Sequence, residues 1–223
     1  RLIPAMSRKW KQINKFVEVF AHALSSSTLD QSQPLHAVDF GSGKGYLTFA
    51  VHHHLRQTLG RDVEVCGVEL RPDLVQLCNR AAQGLGLVGL HFEQGDVRQR
   101  AAAPLDIVIA LHACDTATDH AIHLGIRAGA ELIVCSPCCH KQLRPQLLSP
   151  HPLRNVFQHG IHAEQQAEML TDSLRALLLQ TEGYDAQVFE FVSLEHTAKN
   201  KMILAVKRQR PLSEPARAAL LTQ

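Results

Sequence analysis

The sequence predicts an α/β fold with a mostly parallel sheet and helices on both faces. Three observations predict it. Short apolar runs alternate with segments of helical period. A glycine-rich turn, Gly41-Ser42-Gly43-Lys44-Gly45, joins the first run to the helix after it. Successive runs end in an acid or in a knot of His, Cys and Asp, at the edge where parallel sheets build their sites.

Trp10, Ile13, Val17, Phe20 and Leu24 recur at helical spacing, so residues 8–24 form an amphipathic helix that the polar stretch from Ser25 to Pro34 ends. Strands follow at His36–Phe40, Glu64–Val68, Leu90–Phe92, Asp106–Leu111 and Glu131–Cys135. Between the first three lie helices at Tyr46–Leu59 and Pro72–Gly84. The triple histidine 52–54 sits in the first of these and is expected on a solvated surface. A looser stretch, 143–162, contains Pro145, Pro150 and Pro152. A helix over Glu164–Thr181 then ends at Gly183, and two strands, Gln187–Leu194 and Lys201–Lys207, close the sheet. The expected organisation is an N-terminal helix and linker (1–33), one domain (34–208) and a tail (209–223).

The 223 residues suffice for one substantial core. With 45% hydrophobic and 20% charged residues the composition is that of a soluble globular chain. No apolar run approaches the roughly 20 residues a membrane span needs, and no membrane partner is expected. The chain starts at Arg1 without a secretory pattern, and is expected to be the carboxyl-terminal part of something longer. Six cysteines, several inside apolar strands, do not make a disulfide framework and point to a reducing, cytoplasmic setting. Two basic runs stand out: Arg1, Arg8, Lys9, Lys11 and Lys15, and later Lys199, Lys201, Lys207, Arg208 and Arg210. Each is either a solvated face or a set of contacts to nucleic acid phosphates.

The glycine turn excludes two nucleotide motifs. A P-loop needs a glycine at position 38 and Ser or Thr after the lysine; the chain has Val38 and Gly45. The dinucleotide fingerprint needs glycine at position 46, which is Tyr. What remains is either a plain strand-to-helix turn or the Asp-x-Gly-x-Gly-x-Gly loop that this segment resembles, that of S-adenosylmethionine (SAM) methyltransferases. Glu69, ending the second strand, could hold ribose hydroxyls. Asp96, after Gly95, could accept a hydrogen bond from an adenine amino group, or serve as a turn residue. The candidate cofactor residues are Asp39, Phe40, Gly41, Ser42, Gly43, Gly45, Tyr46, Glu69, Leu70, Asp96, Val97 and His112.

Strand four runs into Leu111-His112-Ala113-Cys114-Asp115, and strand five into Ser136-Pro137-Cys138-Cys139-His140. Both segments fall on the rim where a bound SAM would present its methyl group. LHACDTATD and SPCCH, with VDFGSGKGYL, TDSLRALLL and EHTAKNK, resemble a methyltransferase-like family that includes the C-terminal domain of the glutathione S-transferase C-terminal-domain-containing protein. A looser likeness runs to tRNA ribose 2′-O-methyltransferases, from which the chain departs by carrying Asp at position 115, where glycine is expected. The resemblance implies a Rossmann-like, seven-stranded class I methyltransferase fold, S-adenosyl-L-methionine as cofactor, and a macromolecular acceptor, RNA or protein.

Asp115 and His140 are candidates for orienting or deprotonating the acceptor, with Asp115 alternatively capping the next helix. His112, Cys138 and Asn200 complete the catalytic candidates, and Thr197 adjoins Asn200. Asp119 is expected to be structural, and Asp172 and Arg175 to form a buried pair bracing the rim. Cys135-x-x-Cys138 has redox spacing, and Cys114, Cys138, Cys139 and His140 could hold zinc, but packing is the expected role and no metal is assigned. A non-catalytic RNA- or protein-binding module and a small-molecule methyltransferase, with 143–162 as a lid, are the alternatives.

Overall fold

The computed structural model describes residues 4–29, 33–111, 113, 115–137, 140–147, 154–191 and 201–222. Helix α1 (Pro4–Ser26) leads to β1 (Leu35–Phe40), α2 (Tyr46–His53), β2 (Val63–Glu69), α3 (Pro72–Gly84) and β3 (Leu90–Gln94). Then come β4 (Ile107–Ala110), α4 (Thr116–Ala128) and β5 (Leu132–Cys135). Two single-turn helices, α5 (Arg144–Leu147) and α6 (Arg154–Phe157), precede α7 (Gly160–Thr181), β6 (Tyr184–Glu190), β7 (Lys201–Lys207) and α8 (Glu214–Leu221).

The seven strands form one sheet in the order β3-β2-β1-β4-β5-β7-β6. β1 to β5 pair in parallel, and β7 runs antiparallel to both β5 and β6. The direction of winding reverses between β1 and β4, which opens a crevice beyond the carboxyl ends of these strands. β1, β4 and β5 are almost continuously buried, because helices cover both faces. On one face Phe16, Phe20, Val51, Leu55 and Phe92 pack against Ala37, Val65 and Ile109; on the other Ile122, Leu124, Leu179 and Tyr184 pack against Val38, Val108 and Ile133.

Three expectations are corrected. The triple histidine is not a solvated surface: His52 is buried, and its Nε2 donates to the Val88 carbonyl at 2.8 Å, while His53 alone of the three is exposed. Its helix continues past His53 as a π-helical turn, His54–Thr58. The expected tail contains α8, which packs on α7 with Arg217 3.5 Å from Glu182. The sixth strand starts three residues earlier than predicted, at Tyr184, whose hydroxyl donates to the Ala130 carbonyl at 2.7 Å. Residues 192–194, predicted to finish it, lie outside the described residues.

Candidate active site

The glycine turn after β1 has all three glycines at positive φ: 70° at Gly41, 57° at Gly43 and 71° at Gly45. A side chain at Gly43 would meet nothing closer than the Gly41 carbonyl at 3.9 Å, so that backbone faces open space. Its amide donates to Glu69 Oε2 at 2.9 Å, while the Arg71 amide donates to Oε1 at 3.1 Å. Two backbone donors thus fix the Glu69 carboxylate at the end of β2, with a lone pair on each oxygen to spare. Behind the turn Phe92 packs so closely on β2 that a Cβ at Gly67 would lie 2.3 Å from its ring.

A cavity of about 580 Å³ opens beside this turn. Of the predicted cofactor residues, Phe40, Gly41, Gly43, Glu69, Leu70, Asp96 and Val97 line it. Leu70 is 61% exposed there, an apolar surface that a flat ring could cover. Asp96 accepts from the Arg98 amide at 2.9 Å and pairs with the Arg98 guanidinium, which holds its carboxyl down at about 2. It is therefore both the turn residue and a cavity wall.

Four predicted cofactor residues do not line the cavity. Asp39 lies buried beneath the turn, accepting from Thr48 Oγ1 at 2.6 Å. Burial raises its pKa to about 7, against the Thr48 hydrogen bond and with help from the nearby Glu69 charge. Ser42 and Gly45 are buried in the turn itself, and Tyr46 is exposed on the first turn of α2. Sequence reading missed Val68, Arg71, Leu74, Gly95, Arg98, Ala113, Thr116 and Ala117 as walls. Ala113, Thr116 and Ala117 follow strand four at the winding reversal, which was the available signal.

The second rim segment holds the described catalytic candidates differently. Asp115 has φ 54° and ψ −123° and makes no side-chain cap to α4, so the capping role is not the one it takes. Its carbonyl is gripped by the Thr118 amide at 3.1 Å and by Arg175 Nη2 at 3.0 Å. Arg175 also chelates Asp119, at 2.7 and 3.1 Å, and donates to Asp172 Oδ1 at 3.2 Å. His140 is buried, and its Nε2 contacts the same Asp172 oxygen at 3.0 Å. The expected Asp172–Arg175 brace is present, with His140 built into it. His112, Cys138, Thr197 and Asn200 lie outside the described residues, as do Cys114 and Cys139.

Beyond this brace lies a second cleft of about 340 Å³ between α4 and α7. Asp115 and Asp119 line it, while Ala113, Thr116 and Ala117 line the first cavity. The first turn of α4 is thus a shared wall. Cys135 is fully buried, and burial pushes its thiol up to about 12, which makes it a packing residue and a poor redox nucleophile. Cys66, His91 and Glu93 place ligand atoms within 4.8 Å of one another. The Arg100 guanidinium pairs with Glu93, so one of the three groups already has a cationic partner.

Sheet order, glycine turn and crevice together define a class I methyltransferase fold. Residues 8–146 match the family described as a methyltransferase domain, and the chain belongs to it. The chain is 26% identical over 89% of its length to the glutathione S-transferase C-terminal domain-containing protein of Mus musculus, of which it spans 33%. It is similar in fold to the magnesium protoporphyrin IX methyltransferase of Synechocystis PCC 6803 with bound SAH (TM-score 0.54, 16% identity, 93% of this chain and 89% of that one). It is likewise similar in fold to the 23S rRNA methyltransferase ErmE (TM-score 0.52, 12% identity, 91% and 72%).

Proposed function

We propose that the chain binds S-adenosyl-L-methionine in the cavity beside the glycine turn and transfers its methyl group to an oxygen or nitrogen of a macromolecule. The observation that carries this reading is the grouping of Gly43, Glu69, Leu70 and Asp96 around one cavity of about 580 Å³ at the winding reversal. The residues fit the cofactor. Ser42 Oγ is buried under the turn with no hydrogen-bond partner among the described residues, and the Gly43 backbone is open to approach. Glu69 would take the ribose hydroxyls, Leu70 and Val97 the adenine faces, and Asp96 the adenine amino group. The cofactor supplies an electrophilic methyl on a sulfonium; the protein aligns the acceptor and takes its proton.

The chain's membership of a methyltransferase-domain family supports turnover over a purely binding role. The fold itself is neutral on the acceptor, since the solved relatives include a porphyrin and an rRNA methyltransferase. RNA is supported by α1, where Trp10 is 54% exposed next to the exposed Lys11, although Lys15 on the same helix pairs with Glu18 at 2.8 Å. The second basic run supports it less. Lys201 lies 2.9 Å from Glu168, Lys207 3.7 Å from Glu131, and Arg208 2.5 Å from Asp185. No described helix is long and apolar enough to cross a membrane.

Calorimetry with SAM and S-adenosylhomocysteine tests the site. Wild type should bind both, and Glu69→Ala should weaken binding at least about tenfold, as loss of a charged hydrogen-bonding partner does. Equal affinity in Glu69→Ala and Gly43→Asp would place the cofactor elsewhere.

A further inference from the structure

We infer that the cleft between α4 and α7 receives the methyl acceptor, and that this acceptor is a nitrogen on the basic side chain of a protein substrate. The inference rests on the methyl-transfer reading above and names its substrate class.

Asp115 supplies the first reason. Its backbone, φ 54° and ψ −123°, is one that a side chain makes costly, and it is the only non-glycine residue at positive φ among the described residues. Two donors hold it there, the Thr118 amide and the Arg175 guanidinium. That conformation denies the carboxylate the cap of α4 and turns it to the cleft, where its one described contact is a long 3.5 Å from the Gln142 amide. A strained residue with an uncommitted carboxylate is a proton acceptor held ready rather than a structural acid.

Charge supplies the second. Among the described residues, the cleft is lined by the carboxylates of Asp115 and Asp119 and by one cation, Arg175. That cation is 4% exposed and committed to Asp119, Asp172 and the Asp115 carbonyl. A phosphate entering here would meet no free positive charge among the described residues, whereas an ammonium or guanidinium would meet Asp115. The walls add Leu143, Leu174 and Leu178, and the last two are 58% and 49% exposed, a lining that suits an aliphatic stem.

Position supplies the third. The cleft and the cofactor cavity share the first turn of α4 as their common wall, so an acceptor held in one lies at the rim of the other. In the reaction the substrate nitrogen gives a proton to the Asp115 carboxylate. Its lone pair then forms the bond to the methyl carbon as the carbon–sulfur bond breaks. The electron pair of that bond stays on sulfur, leaving neutral thioether S-adenosylhomocysteine.

The test uses the full chain with methyl-labelled SAM, a library of lysine- and arginine-containing peptides, and separately total cell RNA. Label should enter peptide and be recovered after hydrolysis as a methylated basic amino acid. Leu178→Trp, which fills the cleft, should cut peptide labelling at least about tenfold while SAM affinity holds within about twofold. Leu174→Arg, at a more exposed position, repeats the test should the tryptophan disturb folding. Label in RNA and not in peptide overturns the acceptor class. Peptide labelling unchanged in both variants overturns the cleft and leaves methyl transfer standing. Bound SAM with no label in either pool overturns this inference, and absence of SAM binding overturns the reading beneath it.

Discussion

The two halves of the crevice are held together in opposite ways. Around the cofactor cavity the polar contacts are local or backbone-made: Gly43 and Arg71 amides on Glu69, Arg98 on Asp96, Thr48 on Asp39. At the rim between α4 and α7 one buried side chain does the holding. Arg175 reaches from α7 to Asp119 and to the Asp115 carbonyl, 56 and 60 positions away in sequence. A pocket whose donors are mostly backbone amides keeps its shape when a single side chain is lost, even where that side chain is needed to bind. A rim built on one guanidinium does not.

The sharpest way to break that contrast is Arg175→Met. It leaves the buried Asp172 without its counter-charge and frees the exposed Asp119, and should cost about 3–5 kcal/mol in urea unfolding, nearly all of it from Asp172. Arg175→Lys should recover only part, because an ammonium cannot chelate Asp119 and reach the Asp115 carbonyl together. A loss below about 1 kcal/mol would show the rim held by packing alone.

Asp39 probes the cofactor half. Its folded pKa of about 7 lies above the ordinary 3.8, so the fold favours the protonated carboxyl. The stability this contributes is full below about pH 4 and is lost as pH rises through 7, up to about 4 kcal/mol over that range. Asp39→Asn should flatten the stability profile between those limits, which melting curves across pH would check. A slope unchanged in the variant would assign the effect to another group.

Gly67→Ala tests how tightly the turn is backed. The added carbon would sit 2.3 Å from the Phe92 ring and 3.1 Å from Ser42 Oγ, with Phe92 buried, so a loss of about 1–3 kcal/mol is expected. SAM affinity should fall with it, since Ser42 belongs to the turn. The smallest effect, and the only gain, is expected from Asp115→Gly. Relief of the strained backbone should raise stability by about 1 kcal/mol while methyl transfer is lost. Stability and transfer falling together would mean that Asp115 is structural.

Much of the cofactor half was legible because its chemistry sits in contiguous stretches. Asp-Phe-Gly-Ser-Gly-Lys-Gly is a strand end, a turn and a helix start, and Glu69 and Asp96 each close their own strand segment. The misreadings there concern direction. Asp39 belongs to the motif, yet its side chain points under the turn to Thr48, and Tyr46 points away to solvent. His52 was misread for the same reason: three histidines in a row occupy three helix faces, and only packing decides which one meets Val88.

At position 115 the sequence poses a question that only the backbone answers. Tertiary structure puts this aspartate at φ 54° and ψ −123°, where glycine would rest at ease, so the glycine expected in the resembling tRNA enzymes has a steric reason. The lysine and arginine run near the C-terminus reads as a cationic patch along the chain. In space Glu168, Glu131 and Asp185 stand against it.

The chain's order of apolar runs, turns and strand-end acids determined the parallel sheet, the glycine turn and the identity of its acidic neighbours, because those depend on residues close in sequence. Which carboxylates are buried, which are paired and which face a cleft was decided only when α7 packed beside α4. Charge pairing and burial are set by distances between side chains, and no local pattern encodes a contact made across 60 positions.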